Sequence, residues 1–293
     1  MLWPKSLNKK IKTEVKLAHL TSFKVGGAAR FFFEVKNIKE LREALIFTKR
    51  AGIQVFILGA GSNILVGDSS LDGLVIKLSG KFFKRVHRKG ACLEAGGALK
   101  FNHLILYAKN NGLSGLEFLA GIPGTLGGAL AGNAGAWGKS IGAQVKEVRV
   151  LDYNGKLKLL SAKDLKFSYR KSNLNRHVII SSKLKLRKGD KDAIGLRMRD
   201  YFLLRNKAQG NNLPNAGCIF KNPGKNTAGK LIDACGLKGK AKGDAFISKV
   251  HANFILNKGN ASSKDILFLM DLTQKRVRER FKINLEPEIK IWK

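Results

Sequence analysis

The sequence predicts an α+β chain in two parts, on three observations. Stretches with apolar residues at helical spacing interleave with short apolar runs of strand length. The character changes near Gly189: strands and glycine-rich loops dominate before it, and a helix-rich α+β region follows. At 293 residues the chain is long enough to bury two ordinary cores.

In "IKELREALIFTKRAG", Ile38, Leu41, Leu45 and Phe47 share one helical face, and Gly52 closes the helix. "IQVFIL" (53–58) and "LVIKL" (74–78) read as short buried strands, with "GAGSN" (59–63) as a loop after the first. "FNHLILYAKNNG" is a helix stopped by its polar, glycine-ended tail. "VKEVRVLDYNGKLKLLS" is a hairpin, because two strand-like runs flank Asn154-Gly155, a pair suited to left-handed turn positions. "HVIISSKLKL" is a strand, and a long helix covers about 190–207. Beyond it come a loop at 213–223, a helix in "TAGKLIDACG", strands in "AFISKVHANFILN", a helix over 262–281 and a last strand in "LEPEIKIW".

Composition narrows the function classes. The formal net charge of +34 attracts anions and favours non-specific adhesion to nucleic acid. Lys and Arg are scattered along the whole chain, whereas a dedicated nucleic-acid protein concentrates them in an arm or patch. Cys92, Cys218 and Cys235 form no CxxC, and "MLWPKSLNKKIK" lacks the apolar stretch of a signal peptide. Free thiols in a reducing cytoplasm are the expectation, with Cys92 and Cys235 as core residues. The uncharged run 118–138 has bilayer length, but its seven glycines and one proline make it a poor membrane helix.

The glycine loops carry a second function signal. In "ILGAGSNILV" a strand enters Gly59, Ala60, Gly61, Ser62 and Asn63, where successive N–H groups and two polar side chains suit an anion. Ile64 stands where a Rossmann fingerprint has its third glycine, and no Gly-Lys-Ser/Thr closes a P-loop. A structural turn is an equal reading of this loop alone. "GIPGTLGGALAGNAGAWG" adds a second dense glycine segment, containing Ile122, Pro123, Gly124, Gly127, Gly128, Asn133, Gly135 and Ala136. Such density suits backbone lying flat against a large rigid ligand, with tight chain packing as the plain alternative. Together the loops predict a dinucleotide bound along its length.

Eight stretches in order resemble one known family. They are "TSFKVGG" (21–27), "ILGAGSNILV", "GLEFLAGIPGTLGGALAGNAGAWG", "SYRKSNL" (168–174), "NAGCIFKNP", "AGKLIDACGLKG" (228–239), "HANFILN" (251–257) and "LEPEI" (285–289). This order is similar to the UDP-N-acetylenolpyruvoylglucosamine reductases, also called UDP-N-acetylmuramate dehydrogenases, in the branch without an extra tyrosine-bearing loop. The resemblance implies an FAD-binding domain of the vanillyl-alcohol-oxidase type, made of two α+β subdomains, plus a C-terminal α+β substrate-binding domain. The expected limits are an N-terminal segment 1–20, an FAD-binding domain 21–188 divided near 79, and a substrate-binding domain 189–293 whose last strand could return to the first domain.

The resemblance also implies a reaction: NADPH-dependent, FAD-mediated reduction of an enolpyruvyl ether in peptidoglycan precursor synthesis. It places FAD along Gly59–Asn63 and the second glycine loop. Arg170 falls on the family's catalytic arginine and Glu288 on its catalytic glutamate, with Glu286 as a neighbouring competitor. Cys218 stands where the family usually has a serine proton donor. Tyr169, Lys207, Asn222 and His251 fall on substrate-contact positions; His251 reads equally as a structural histidine. Gly210 replaces a commoner Gln-Pro, and "GGAAR" replaces Gly-Gly-Pro. The partners implied are small molecules, with a monomer, no dedicated nucleic-acid or membrane partner, and no metal. Two alternatives stay open: another FAD-dependent oxidase or dehydrogenase of the superfamily, or a basic nucleic-acid-binding protein.

Overall fold

The computed structural model describes residues 3–210 and 212–293. Two compact units divide the chain. The first holds the chain up to Thr13, Phe31–Ala60 and Asp72–Leu204; the second holds Glu14–Arg30, Gly61–Leu71 and the chain from Arg205 onward.

In the first unit the helix Ile38–Arg50 starts where Asn37 accepts the Glu40 N–H at 3.0 Å, and it gives way to Gly52 at φ +66°. Its buried face, Leu41, Ala44 and Leu45, packs with Phe33, Val35, Leu74 and Ile76 in one core cluster. The sheet contributing those residues orders Ile11–Lys16, Ala28–Val35, Leu71–Leu78 and Val55–Leu58, with the last two parallel. Its first two strands escape the sequence reading. Ile11–Lys16 is an edge strand with mostly exposed residues, so its charges blunt the edge and hide the apolar alternation.

The second sheet of this unit is antiparallel, in the order Leu157–Ser161, Val145–Asp152, His177–Lys185, Cys92–Gly96, Val86–Lys89. The expected hairpin forms, with Gly155 at φ +77°. Asp152 Oδ1 ties its turn by accepting from the N–H groups of Asn154 and Lys156 at 3.0 and 2.9 Å. Leu93, Val148 and Ile179 from this sheet share a core with Leu104 and Ile105 of the helix Phe101–Asn110. Cys92 opens its strand and is only half-buried, so the expectation of a core thiol does not hold.

The helix expected at 190–207 runs Lys191–Gln209, with Asp190 Oδ1 covering the Asp192 and Ala193 N–H groups. Ile194 is its one buried residue, and Leu196, Phe202, Leu203 and Leu204 are exposed. The one α-helix in the uncharged run 118–138 is the short Leu126–Ala131, capped by Thr125. Among the described residues no helix is long and apolar enough to cross a membrane.

The second unit packs the helices Ala228–Ala234 and Ser263–Phe281 with the strands Ala245–Ile247 and Ile255–Asn257. The longer helix starts in a capping box: Ser262 and Asp265 satisfy each other's backbone N–H. The stretch "LEPEIKIW" is strand only over Lys290–Trp292, which pairs in parallel with Ile64–Val66. Cys235 ends the helix Ala228–Ala234, packed against the core but half-buried. Burial pushes its thiol up, against the opposing pull of Arg280 and Arg276.

Candidate active site

Two constellations gather the candidate residues, one in each unit. In the first, Phe167–Ser168 pairs with Lys171–Ser172, leaving Tyr169 and Arg170 as a two-residue turn. Arg170 takes φ +53°, a left-handed conformation that disfavours a side chain by about 1–2 kcal/mol. The guanidinium carbon lies 5.4 Å from the Tyr169 ring centre, and Tyr169 is 54% exposed. Arg170 Nη1 donates to the Gly135 carbonyl at 2.8 Å. Asn133 Nδ2 donates to the Ser168 carbonyl at 2.8 Å, and Ser172 Oγ to the Ala131 carbonyl at 2.9 Å. "GNAGAWG" and "SYRKS" are thus laced together by side-chain-to-backbone bonds.

The glycines of this region have close neighbours in the chain itself. A Cβ on Gly59 would lie 2.9 Å from Thr125 Oγ1, and one on Gly127 2.9 Å from the Gly97 carbonyl. At Gly135 it would collide with the Lys139 carbonyl. Chain-on-chain packing therefore constrains these three positions. Gly124 keeps φ +148°, exposed Gly128 has Thr125 Oγ1 at an ordinary 3.5 Å, and the half-buried Ile122 donates its N–H to Leu119. Pro123 is exposed and Ala136 half-buried.

In the second unit Cys218 follows Gly217, whose φ is +76°. A Cβ there would meet open space, so this glycine serves the turn's dihedral and not a close approach. Cys218 is half-buried at the start of a short extended segment. Asn253, 2% exposed, clamps that segment: it accepts from the Phe220 N–H at 2.9 Å and donates to the Phe220 carbonyl at 2.8 Å. Opposite lies 286–288, bridged antiparallel at Phe220 and Pro287. The Glu288 N–H donates to Ile219 at 2.7 Å, which sets Glu288 one residue from Cys218 in register.

Asn63 fastens the same strand, donating from Nδ2 to the Glu288 carbonyl at 3.2 Å and accepting the Lys290 N–H at 3.0 Å. Ser22 Oγ reaches the Asn215 carbonyl at 2.6 Å and the Gly61 carbonyl at 3.2 Å. The first glycine loop, "TSFKVGG", the Cys218 segment and Glu288 are therefore one hydrogen-bonded assembly. Glu286, the competitor of Glu288, is 71% exposed in its side chain and paired to Lys221 at 2.5 Å.

The remaining substrate candidates lie in the second unit. Lys207 is exposed on the long helix. Asn222 Oδ1 accepts from the Ala228 N–H at 3.0 Å, at the start of a helix. His251 Nδ1 accepts from the Asn253 N–H at 3.2 Å, and its ring meets Phe254 edge-on. Burial pushes its pKa down, with Lys238 reinforcing and a backbone hydrogen bond opposing, which favours the neutral ring. Asn253 and Ser22 were not singled out from sequence. Both lie inside the quoted motifs, but nothing local distinguishes a clamping Asn or Ser from a solvated one.

A family model described as UDP-N-acetylenolpyruvoylglucosamine reductase, C-terminal domain, matches residues 208–292, and an FAD-binding domain model matches residues 29–161. UDP-N-acetylenolpyruvoylglucosamine reductase 2 of Symbiobacterium thermophilum is 38% identical over 285 residues, covering 97% of this chain and 92% of that one. The reductase of Clostridium novyi is 38% identical over 283 residues, covering 96% and 92%. The crystal structure of the Thermus caldophilus reductase superposes with a TM-score of 0.84 at 36% identity, covering 97% of this chain and 100% of that one. The chain belongs to the UDP-N-acetylenolpyruvoylglucosamine reductase family.

As a member of the UDP-N-acetylenolpyruvoylglucosamine reductase family it is an oxidoreductase with an FAD-binding domain, of α+β class. The residues present suit the cofactor. Among the described residues no protein acceptor takes the N–H groups of Gly59, Ala60, Gly61 or Asn63. Gly61 is buried, and a Cβ there would strike the Leu20 carbonyl, so its backbone is held in place with a donor to spare. A diphosphate would satisfy such a row of donors. No group of His, Cys, Asp and Glu able to hold a metal occurs among the described residues.

Proposed function

We propose that this chain reduces UDP-N-acetylglucosamine enolpyruvate to UDP-N-acetylmuramate, taking electrons from NADPH through FAD. The reading rests on likeness to reductases of that name over nearly the full length of both chains. When bound, FAD would supply the redox chemistry that links NADPH oxidation to reduction of the vinyl carbon. The donors at Gly59–Asn63 would hold its diphosphate, and residues of the loop from Ile122 to Ala136 would supply its other contacts.

The protein's own task is charge and proton management. A hydride arriving at the vinyl CH2 drives electrons toward the adjacent carbon and its carboxylate, so negative charge grows there. Arg170 meets that charge; its planar fork matches a carboxylate, and the strained turn with the Gly135 anchor restricts where it points. Cys218 Sγ–H gives the proton to the substituted carbon, completing the addition of H⁻ and H⁺ across the double bond. Glu288, tied by its backbone to Ile219 and Asn63, polarises the same carboxyl. Tyr169, Lys207 and Asn222 contact the nucleotide-sugar, and His251 shapes the loop beside them.

The same reading assigns FAD binding to residues 21–188, with subdomains divided near 79, and substrate binding to 189–293. It makes the protein a cytoplasmic monomer acting on small molecules. The test is the spectrum of the purified protein. A flavin absorbance bleached by NADPH and restored anaerobically by the enolpyruvyl substrate is expected. A flavin that stays reduced when that substrate is added overturns the reading.

A further inference from the structure

Asn133 belongs to the loop proposed to line the cofactor, and its side chain is engaged with the protein. The residue is 5% exposed, with its backbone at φ +44°. Asparagine tolerates that left-handed conformation better than most residues. Both ends of its amide meet protein. Nδ2 donates to the Ser168 carbonyl at 2.8 Å, and Oδ1 accepts from the Gly142 N–H at 3.0 Å. The partners fix the amide's orientation, since a carbonyl requires the NH2 end and an N–H requires the oxygen.

Ser168 is the last residue before the Tyr169–Arg170 turn. Two further bonds flank this one: Ser172 Oγ on the Ala131 carbonyl and Arg170 Nη1 on the Gly135 carbonyl. Asn133 is the middle rung of this ladder. The flanking rungs are made by side chains of the hairpin and hold only while the hairpin lies in register. The middle rung is made by the loop and grips the hairpin's backbone, which is what a strained turn needs to stay put.

We propose that Asn133 is a positioning residue for Arg170. Its Nδ2–H holds the Ser168 carbonyl, so the turn delivers the guanidinium to one place, and the side chain acts on catalysis through Arg170. This rests on the part given to Arg170 under the proposed function. It makes a selective demand: charge grows on the substrate's carboxylate only in the second half-reaction. Loss of the clamp therefore slows flavin reoxidation by the enolpyruvyl substrate and spares flavin reduction by NADPH.

Asn133→Gly removes the clamp but accepts the left-handed backbone, and Asn133→Asp keeps the Gly142 bond while presenting oxygen to the Ser168 carbonyl. Should the glycine variant melt below the assay temperature, the aspartate variant carries the test, because it keeps both the backbone and one bond. In anaerobic stopped-flow with flavin-loaded protein, reduction by NADPH stays within about twofold of the parent. Reoxidation by the enolpyruvyl substrate falls about 100-fold, as expected when a catalytic group shifts by an ångström. In an Arg170→Ala background the same substitutions slow reoxidation by less than about twofold more, because the residue they act through is gone. Flavin content and thermal midpoint are read alongside. Equal slowing of both half-reactions, loss of FAD from both variants, or full multiplication of the defects with Arg170→Ala overturns the proposal. Parent-like reoxidation in Arg170→Ala alone sinks the catalytic reading of Arg170, visibly apart from any result at Asn133, and the clamp's purpose falls with it.

Discussion

Under the proposed function Cys218 takes the place that a serine usually has in the resembled family, and the exchange has a readable consequence. A thiol and an alcohol can both deliver a proton, but an ordinary thiol ionises near pH 8.5 and an alcohol does not ionise in the accessible range. A thiolate has no proton to give. The expected outcome is that Cys218→Ser stays active and that its kcat holds on the alkaline side where the parent's declines. Superimposable alkaline limbs in the two pH–rate profiles would show that the thiol's proton is not the one transferred. Arg170, Cys218 and Glu288 were proposed from sequence because each sits in a motif with a fixed neighbour pattern. Asn253 and Ser22 were not, because their work is done on residues 33 and 193 positions away.

At the scale of elements, local signals were legible and long-range ones were not. Asn37 with Glu40, Ser262 with Asp265, and Asn154 with Gly155 lie within a few residues of each other, and each marks its helix start or turn where expected. The joining of Glu14–Arg30 and Gly61–Leu71 to the chain after Arg205 leaves no such trace, because it depends on pairings like Ile64–Val66 with Lys290–Trp292. One long-range element tie makes a stability prediction. Glu117, 6% exposed, accepts from Ser114 Oγ at 2.7 Å, the Gly115 N–H at 2.7 Å and Arg197 Nη2 at 2.9 Å, which joins the approach to the second glycine loop to the long helix. Burial alone would raise its pKa, but Ser114, Arg197 and the backbone donors outweigh it and hold the carboxyl below its ordinary value. A carboxyl depressed by folding stabilises above its unfolded pKa of about 4.3, and that contribution disappears as pH falls through the lower folded value. Thermal midpoints of the parent should therefore drop between about pH 5 and pH 3 more steeply than those of Glu117→Gln, which starts lower at pH 7. Parallel curves would mean that Glu117 is not held ionised by its partners.

The net charge of +34 belongs to the whole molecule and to no one motif. The ligands of the proposed reaction share one property: NADPH, FAD and a UDP-sugar bearing a carboxylate are all polyanions. A field of this sign raises the rate at which such ligands meet the protein, and salt screens it over about 8 Å at physiological ionic strength. Catalysis after binding depends on contacts a few ångströms long, such as the Arg170 fork, which salt screens far less. The two dependences separate in one titration. Raising NaCl from about 50 to about 500 mM should lower kcat/KM for both NADPH and the enolpyruvyl substrate while leaving kcat near its low-salt value. Reoxidation of the reduced flavin by dioxygen, which is uncharged, is the control and should not respond. A kcat/KM indifferent to salt would mean that the basic surface plays no part in capturing these ligands. A fall in kcat of the same size would place the screened charges at the reacting groups instead of along the approach.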